Sequence, residues 1–354
     1  MIRIGIVGAG GNTISAHLPK LINQNGVEVV SVANRTIASS EKVAKKFNIS
    51  KCFDDWQNII LDDEVDAICI GTWPYMHSTI TIEALEAGKH VLTEARMAMN
   101  SDEAELMHNV SKNYPDLITQ IVPAPHTLPY DKTIKQWVTE EMGNLILFDV
   151  KSSTGEFINY DREMHWRENR DLSGNNIMHM GIFYEAGMRW LGTAASVMAT
   201  SSVNVKKRIS PDTGQVSEIS IPDHLEAIGE MNIGGNFHIS HSTVLGGAEK
   251  IEIFIYGTDS TLKISEDINC TTPQSFNTVK LKLETLKKGT NKWKTLKPKK
   301  TNVGKWRVEE EFINAIKGKE KITHTTFSDG VKYMQFTDAL KISSDSNKKV
   351  FLPL

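Results

Sequence analysis

Apolar residues follow two different rhythms along the 354-residue chain. In the first third, short unbroken apolar runs alternate with stretches of helical period. Ile4, Ile6 and Val7 mark the first run, and Val27–Ala33 (VEVVSVA) the second. Residues 67–71 (AICIG), His90–Thr93 and 117–122 follow, with one more short strand near Cys52. Unbroken apolar strands suit a parallel sheet buried on both faces. Between them, 39–47, 56–61 and a segment from His77 to Ala87 read as helices, the last capped by Gly88. Six strands alternating with helices predict a doubly wound Rossmann sheet over residues 1–123.

The rhythm then changes. Leu145–Ser153, positions around Val205 and Ile219, and residues 228–233, 237–244 and 251–256 read as strands in succession, with Gly234-Gly235-Asn236 as a hairpin signal. Few helices intervene, which predicts a mainly antiparallel sheet. Phe312, Ile313 and Ile316 mark an amphipathic helix, and Asp329-Gly330 leads into a final one. The fold class is therefore α/β: an N-terminal Rossmann doubly wound parallel sheet, then a C-terminal α/β domain with a large, mainly antiparallel open sheet. The second domain covers residues 124–354, and its C-terminal helices are expected to pack back on the first. Two domains also follow from length, since one core of usual size does not fill this chain.

Composition narrows the picture. An apolar fraction of 40% and a charged fraction of 23% are those of a soluble globular protein. A net charge of −3 gives no global basic field for nucleic acid. The segment 287–300 carries seven lysines and no acid, but Gly289 and Pro298 interrupt it and Trp293 is its one aromatic. It reads as a solvated hairpin or loop. No apolar run reaches membrane-spanning length, and the start lacks a signal peptide's pattern, so a cytoplasmic protein is expected. Cys52, Cys69 and Cys270 are too scattered for a disulfide framework or a metal site. His238 and His241 lie three apart on a strand and so point to opposite faces, and no metal is expected.

The chemistry concentrates at IRIGIVGAGGNTISAHLP. A strand breaks into Gly8, Gly10 and Gly11 and continues through Asn12 towards a helix. The first glycine permits a tight turn and the second a close approach of backbone to a pyrophosphate. The helix N-terminus then supplies free N–H groups. The third glycine of the usual pattern falls at Thr13. The second strand ends at Asn34-Arg35, where NAD-binding folds carry an acid for the ribose hydroxyls. An arginine there suits a 2′-phosphate, so NADP is favoured over NAD; alternatively Arg35 opens a solvated loop. Thr72 begins the loop after the third long strand, where ligands of such sheets bind. His77 is either a cofactor-side contact or the start of a helix.

These blocks, with VDAICIGTWPYMH, AGKHVLTEARMA, HWRENRDLSGNNIMHMGIFYEAGMRWLG and IEIFIYGTDSTLKI, resemble the Gfo/Idh/MocA oxidoreductases over nearly the whole chain. The resemblance implies NAD(P)-dependent oxidation or reduction of sugars, polyols and related small molecules. It also implies a homodimer or homotetramer formed through the C-terminal sheet. Two motifs depart from the family. Its Glu-Lys-Pro motif keeps Glu94, a cofactor-side residue, but has Ala95 and Arg96 in place of the lysine and proline. Its Asp-x-Gly-x-His motif keeps Gly181 but has His179 and Phe183 at the outer positions.

The resemblance then points to replacements. His179, one turn before Phe183, is the first candidate for proton transfer, and Tyr184, a hydroxyl donor near the substrate, is the alternative. Arg96, His126, His165 and Arg167 are the candidates for holding substrate; Arg96 is alternatively a structural ion-pair partner. The leading expectation is an NAD(P)-dependent oxidoreductase transferring hydride to or from a sugar, sugar derivative or polyol. A redox-coupled lyase or glycosidase, and a non-catalytic cofactor-binding regulator, are the alternatives.

Overall fold

The computed structural model describes residues 1–266 and 280–354, without the side chains of 178–180. Cys270 therefore lies outside the described residues. The chain forms two compact units. The first comprises Met1–Pro123, Asp171–Gly174 and Arg307–Met334; the second comprises Ala124–Arg170, Asn175–Trp306 and Gln335–Leu354.

In the first unit, β1 (Ile2–Val7), β2 (Val27–Ala33), β3 (Lys51–Phe53), β4 (Ala67–Ile70), β5 (His90–Thr93) and β6 (Thr119–Ile121) form one sheet in the order β3-β2-β1-β4-β5-β6. Every pairing is parallel. The chain turns from one half of the sheet to the other between β1 and β4, and a crevice opens at such a switch point. The apolar runs are buried on both faces, as their unbroken character requires: Ile4, Ile6, Ile68, Ile70, Val91 and Leu92 are all fully buried.

Helices α1 (Leu18–Ile22), α2 (Ile37–Phe47), α3 (Gln57–Ile60), α4 (His77–Glu86) and α5 (Ser101–Lys112) complete the βα alternation. The side chains of Thr36 and Asn100 cap α2 and α5 by accepting backbone N–H groups of Ser39 and Glu103. Before α1, Thr13–His17 is wound as a π-turn.

The second unit opens with α6 (Asp131–Glu140) and β7 (Leu145–Ser153). After the short α7 (Arg170–Ser173) comes α8 (Met178–Leu191), then β8 (Ala194–Ser202), and β9 (Lys207–Ile209) paired with β10 (Val216–Glu218). Val205 and Ile219 flank this small ribbon and are buried, so their apolar signal came from packing beside strands. There follow β11 (His224–Met231), β12 (Asn236–Ser242), β13 (Ile251–Gly257), β14 (Ser260–Glu266), β15 (Leu281–Lys287) and β16 (Lys294–Thr295). Helices α9 (Val308–Ile316) and α10 (Phe327–Ser346) precede the terminal β17 (Val350–Phe351).

Among the described residues, the large sheet runs β16-β15-β14-β13-β7-β12-β11-β8-β17, with one parallel pair, β7–β12. Gly234 and Gly235, at φ 95° and 72°, make the β11–β12 turn. The basic segment contributes the β15–β16 hairpin.

Register explains the two faces of this sheet. Val197, Gly229, Phe237, Phe148, Ile255 and Leu262 are paired in one row across six strands. The named apolar side chains of that row are all buried. There Phe148 meets Trp190 of α8 edge-on, and Phe237 meets Phe336 of α10. The next row, Met198, Ile228, His238, Asp149, Phe254 and Lys263, projects from the other face, with Ile228 55% exposed. A step of one residue changes faces because the strand period is two. His241 is buried against Ser152, while His238 stands on the open face between Asp149 and Glu226.

Candidate functional site

In the first unit, the carboxyl ends of β1, β2 and β4 frame a cleft of about 440 Å³. Gly8, Gly10, Asn34, Arg35 and Thr72 line it, as the sequence suggests, together with Ser39, Asp54, Trp56, Trp73 and Tyr75. Gly8 sits at φ 84°, and a Cβ there would lie 2.6 Å from the Thr72 amide nitrogen. Gly71 is equally tight against Thr13 and the Gly8 carbonyl. Above Gly10 and Gly11 there is room: an added Cβ meets one atom at 4.0 Å at Gly10 and nothing within 4 Å at Gly11. The turn is thus compressed on its sheet side and open on the other. The helical run beginning at Gly11 leaves its first N–H groups without intrahelical acceptors. That is the shape and polarity a pyrophosphate requires, and the residues present fit a dinucleotide.

Asn34 holds the turn in place. Its Oδ1 accepts the Ala9 N–H at 2.7 Å, and its own N–H donates to Ser40 Oγ at 2.8 Å. Arg35 leans over the Trp73 ring, 5.0 Å from its centre. A cation on an aromatic face keeps its N–H fork available for anionic oxygens. Thr36 and Ser39 contribute hydroxyls beside it.

His77 has a scaffolding place. It is fully buried, and its ring nitrogens stand 2.8 Å from the Arg96 carbonyl oxygen and 3.0 Å from that of Thr72. Burial holds its pKa below the usual value, and a neutral ring donates its one N–H to one of these two carbonyls. Arg96 is buried, with its guanidinium 6.0 Å from the centre of the Tyr333 ring, whose hydroxyl accepts the Met97 N–H.

Glu94 is bound elsewhere. Its Oε1 accepts from Asn12 Nδ2 and lies 2.9 Å from His17 Nε2. Burial alone would push this carboxyl up; the charge and hydrogen bond of His17, with the bond from Asn12, bring it below the usual range. His17 carries no signal in local sequence, because its other partner, Glu309, is 292 residues away.

In the second unit, His126 stacks on Phe183, ring centres 6.3 Å apart. The segment around His126 is fixed from α8. Glu185 accepts the Ala124 N–H, Arg189 bonds Glu185 and Thr127, and Trp190 donates to Asp131. Glu185 and Arg189 are therefore a framework ion pair.

His165 caps a short 3₁₀ turn by accepting the Arg167 N–H, and Arg167 lies over the Trp166 ring at 4.2 Å. Arg162 and Arg208 brace the same turn through Glu168. Tyr184 departs from the expected hydroxyl donor. It is 2% exposed, stacks on Phe336 at 3.5 Å, and its hydroxyl accepts the Ala194 N–H. A ring so enclosed serves packing, and burial pushes its pKa above the usual value. His179 belongs to the first turn of α8, and its side chain lies outside the described residues. Among the described residues there is no cluster of metal-ligating side chains and no helix long and apolar enough to cross a membrane.

Comparison with known proteins agrees with this architecture. Residues 2–119 match the model of an oxidoreductase family with an NAD-binding Rossmann fold, and residues 135–352 match that family's C-terminal α/β domain. The chain is 24% identical over 258 residues to D-glucoside 3-dehydrogenase of Escherichia coli, covering 70% of this chain and 72% of that protein. It is 24% identical over 234 residues to glucose-6-phosphate 3-dehydrogenase of Bacillus subtilis, covering 65% of each. Among solved structures, levoglucosan dehydrogenase in complex with NADH and L-sorbose superposes with a TM-score of 0.82 at 17% identity, covering 100% of this chain and 99% of that one. At that identity the likeness is one of fold. The two family matches together span nearly the whole chain, which belongs to the Gfo/Idh/MocA oxidoreductase family.

Proposed function

We propose that the protein is an NADP-preferring dehydrogenase of a sugar, sugar derivative or polyol. The observation that carries this reading is the glycine turn, closed against Thr72 and open above Gly10 and Gly11, with Arg35 poised on Trp73 beside it. A nicotinamide dinucleotide, when bound, supplies the hydride acceptor or donor. The chain's own residues do the rest. The N–H groups following Gly10 hold the pyrophosphate, and Asn34 keeps the turn in register. Arg35, Thr36 and Ser39 hold the 2′-phosphate. Arg96, His126, His165 and Arg167 bind substrate hydroxyls or charge, and His179 carries the proton that the family's lysine and histidine would otherwise handle.

The sugar dehydrogenases among the relatives support the substrate class. Met198 and Ile228, exposed and paired with each other across β8 and β11, support a homodimer or homotetramer through the open sheet face. Light scattering of the purified protein checks that assembly.

Absorbance at 340 nm, with NADP or NAD against a panel of sugars and polyols, tests the activity. Turnover with at least one pair, faster with NADP, is expected. Tight cofactor binding without turnover on any substrate would favour a cofactor-binding protein instead, in keeping with Ala95 and Phe183 at the altered positions.

A further inference from the structure

One buried cluster of the first unit has no part in the chemistry above. His17 ends the π-turn with no exposed surface, and its ring lies between two carboxylates. Nε2 is 2.9 Å from Glu94 Oε1, and Nδ1 is 2.7 Å from Glu309 Oε1. A neutral imidazole has one N–H and can donate once. Carboxylates on both ring nitrogens therefore call for two protons in the cluster. An imidazolium satisfies both with charge-assisted bonds.

Three distant stretches meet at this ring: the turn after the glycines, the residue following β5, and the start of α9. A buried ion cluster is weak evidence of net stability, because desolvation offsets much of the attraction. Its placement says more. The side chains of His17 and Glu309 are 0% and 2% exposed, whereas that of Glu94 is 15% exposed. Glu94 is thus the member that faces outward, and its N–H is bonded to Ile70 of β4, directly before the cleft-lining Gly71-Thr72. Glu94 Oε1 is occupied by His17 and Asn12. Among the described residues, Oε2 takes one long bond, 3.3 Å, from the Ala95 N–H, and it retains acceptor capacity.

We propose that His17 is a positioning residue of the cofactor site: bridged to Glu309, it fixes the Glu94 carboxylate as an acceptor for the hydroxyl and amide donors of the dinucleotide's nicotinamide half. This rests on the dinucleotide reading above. The other titratable groups that feel the cluster are Lys20 on α1, Cys69 on β4 and His77 on α4. Burial works against a charged His17, but Glu94 and Glu309 overcome it and raise its pKa to about 9. Cofactor affinity should accordingly weaken as the ring loses its second proton.

Fluorescence titration of NADPH and NADH from about pH 7 to about pH 10, on full-length wild type, His17→Gln and Glu309→Gln, tests this. Wild type is expected to lose about tenfold in affinity across the alkaline limb. His17→Gln is expected to bind about tenfold more weakly at neutral pH and to show no limb. Glu309→Gln is expected to move the limb to lower pH, which keeps the test alive should His17→Gln fail to fold. A purely structural role would instead weaken binding by one factor at every pH. A limb that survives His17→Gln belongs to Lys20 or Cys69 and overturns the proposal, as does a limb unmoved in Glu309→Gln. Wild type that binds dinucleotide with no alkaline limb overturns this proposal alone; wild type that binds neither dinucleotide overturns the cofactor reading as well.

Discussion

The guanidinium of Arg35 rests 5.0 Å from the centre of the Trp73 ring, joining the end of β2 to the loop after β4 across the mouth of the cleft. The ring holds the cation in place without consuming its N–H donors. Arg35→Asp is therefore expected to reverse cofactor preference, weakening NADPH by roughly tenfold to a hundredfold while sparing NADH, as loss of charge-assisted phosphate bonds implies. Trp73→Ala should cost less, about 0.5–1 kcal/mol of NADPH binding. Asp54→Asn, which removes a carboxylate from the same cleft, should tighten NADPH. Equilibrium titrations of both reduced cofactors check all three.

Gly8 and Gly11 separate folding from binding. Gly8→Ala places a Cβ 2.6 Å from the Thr72 amide at φ 84°, so a stability loss above about 2 kcal/mol is expected. Gly11→Ala meets nothing within 4 Å and should leave the denaturant midpoint nearly unchanged. It should still weaken dinucleotide binding, because the methyl group occupies the open side of the turn. Unfolding curves alongside cofactor titrations distinguish the two.

The His17 cluster also sets a pH dependence of stability. Its folded pKa of about 9 stands above the ordinary 6.5. The contribution is thus complete below pH 6.5 and lost as pH rises through about 9. The loss is on the order of 3 kcal/mol. Thermal midpoints of wild type should fall across that window, and those of His17→Gln should stay flat there.

Tyr184 is expected to behave as a core residue. Tyr184→Phe leaves the Ala194 N–H without its acceptor, at a cost of about 1–3 kcal/mol. Turnover per folded molecule should change by less than about twofold. Arg189→Ala should destabilise more, by about 3–5 kcal/mol, because it removes the cation held between the buried carboxylates of Glu185 and Asp131. Denaturant unfolding and initial rates on the same samples decide both.

Much of this fold was legible because it is written locally. Unbroken runs such as AICIG declare strands buried on both faces, and Gly8 declares a turn under steric demand. His238 and His241 separate to opposite faces because a strand alternates. Val205 and Ile219 misled because burial beside a ribbon and membership of a strand leave the same apolar mark. What was not legible depends on partners far along the chain. His17 acquires its meaning from Glu309, and Tyr184 from Ala194 and Phe336. Composition at one position cannot distinguish a hydroxyl aimed at substrate from one spent on a buried N–H.

The dissociation constants of NADPH and NADH for the wild-type protein, measured side by side at neutral pH, test the assignment of an NADP-preferring dehydrogenase most directly. Saturable binding of both is expected, with NADPH at least several-fold tighter. Equal affinities, tighter NADH, or no binding of either would contradict it.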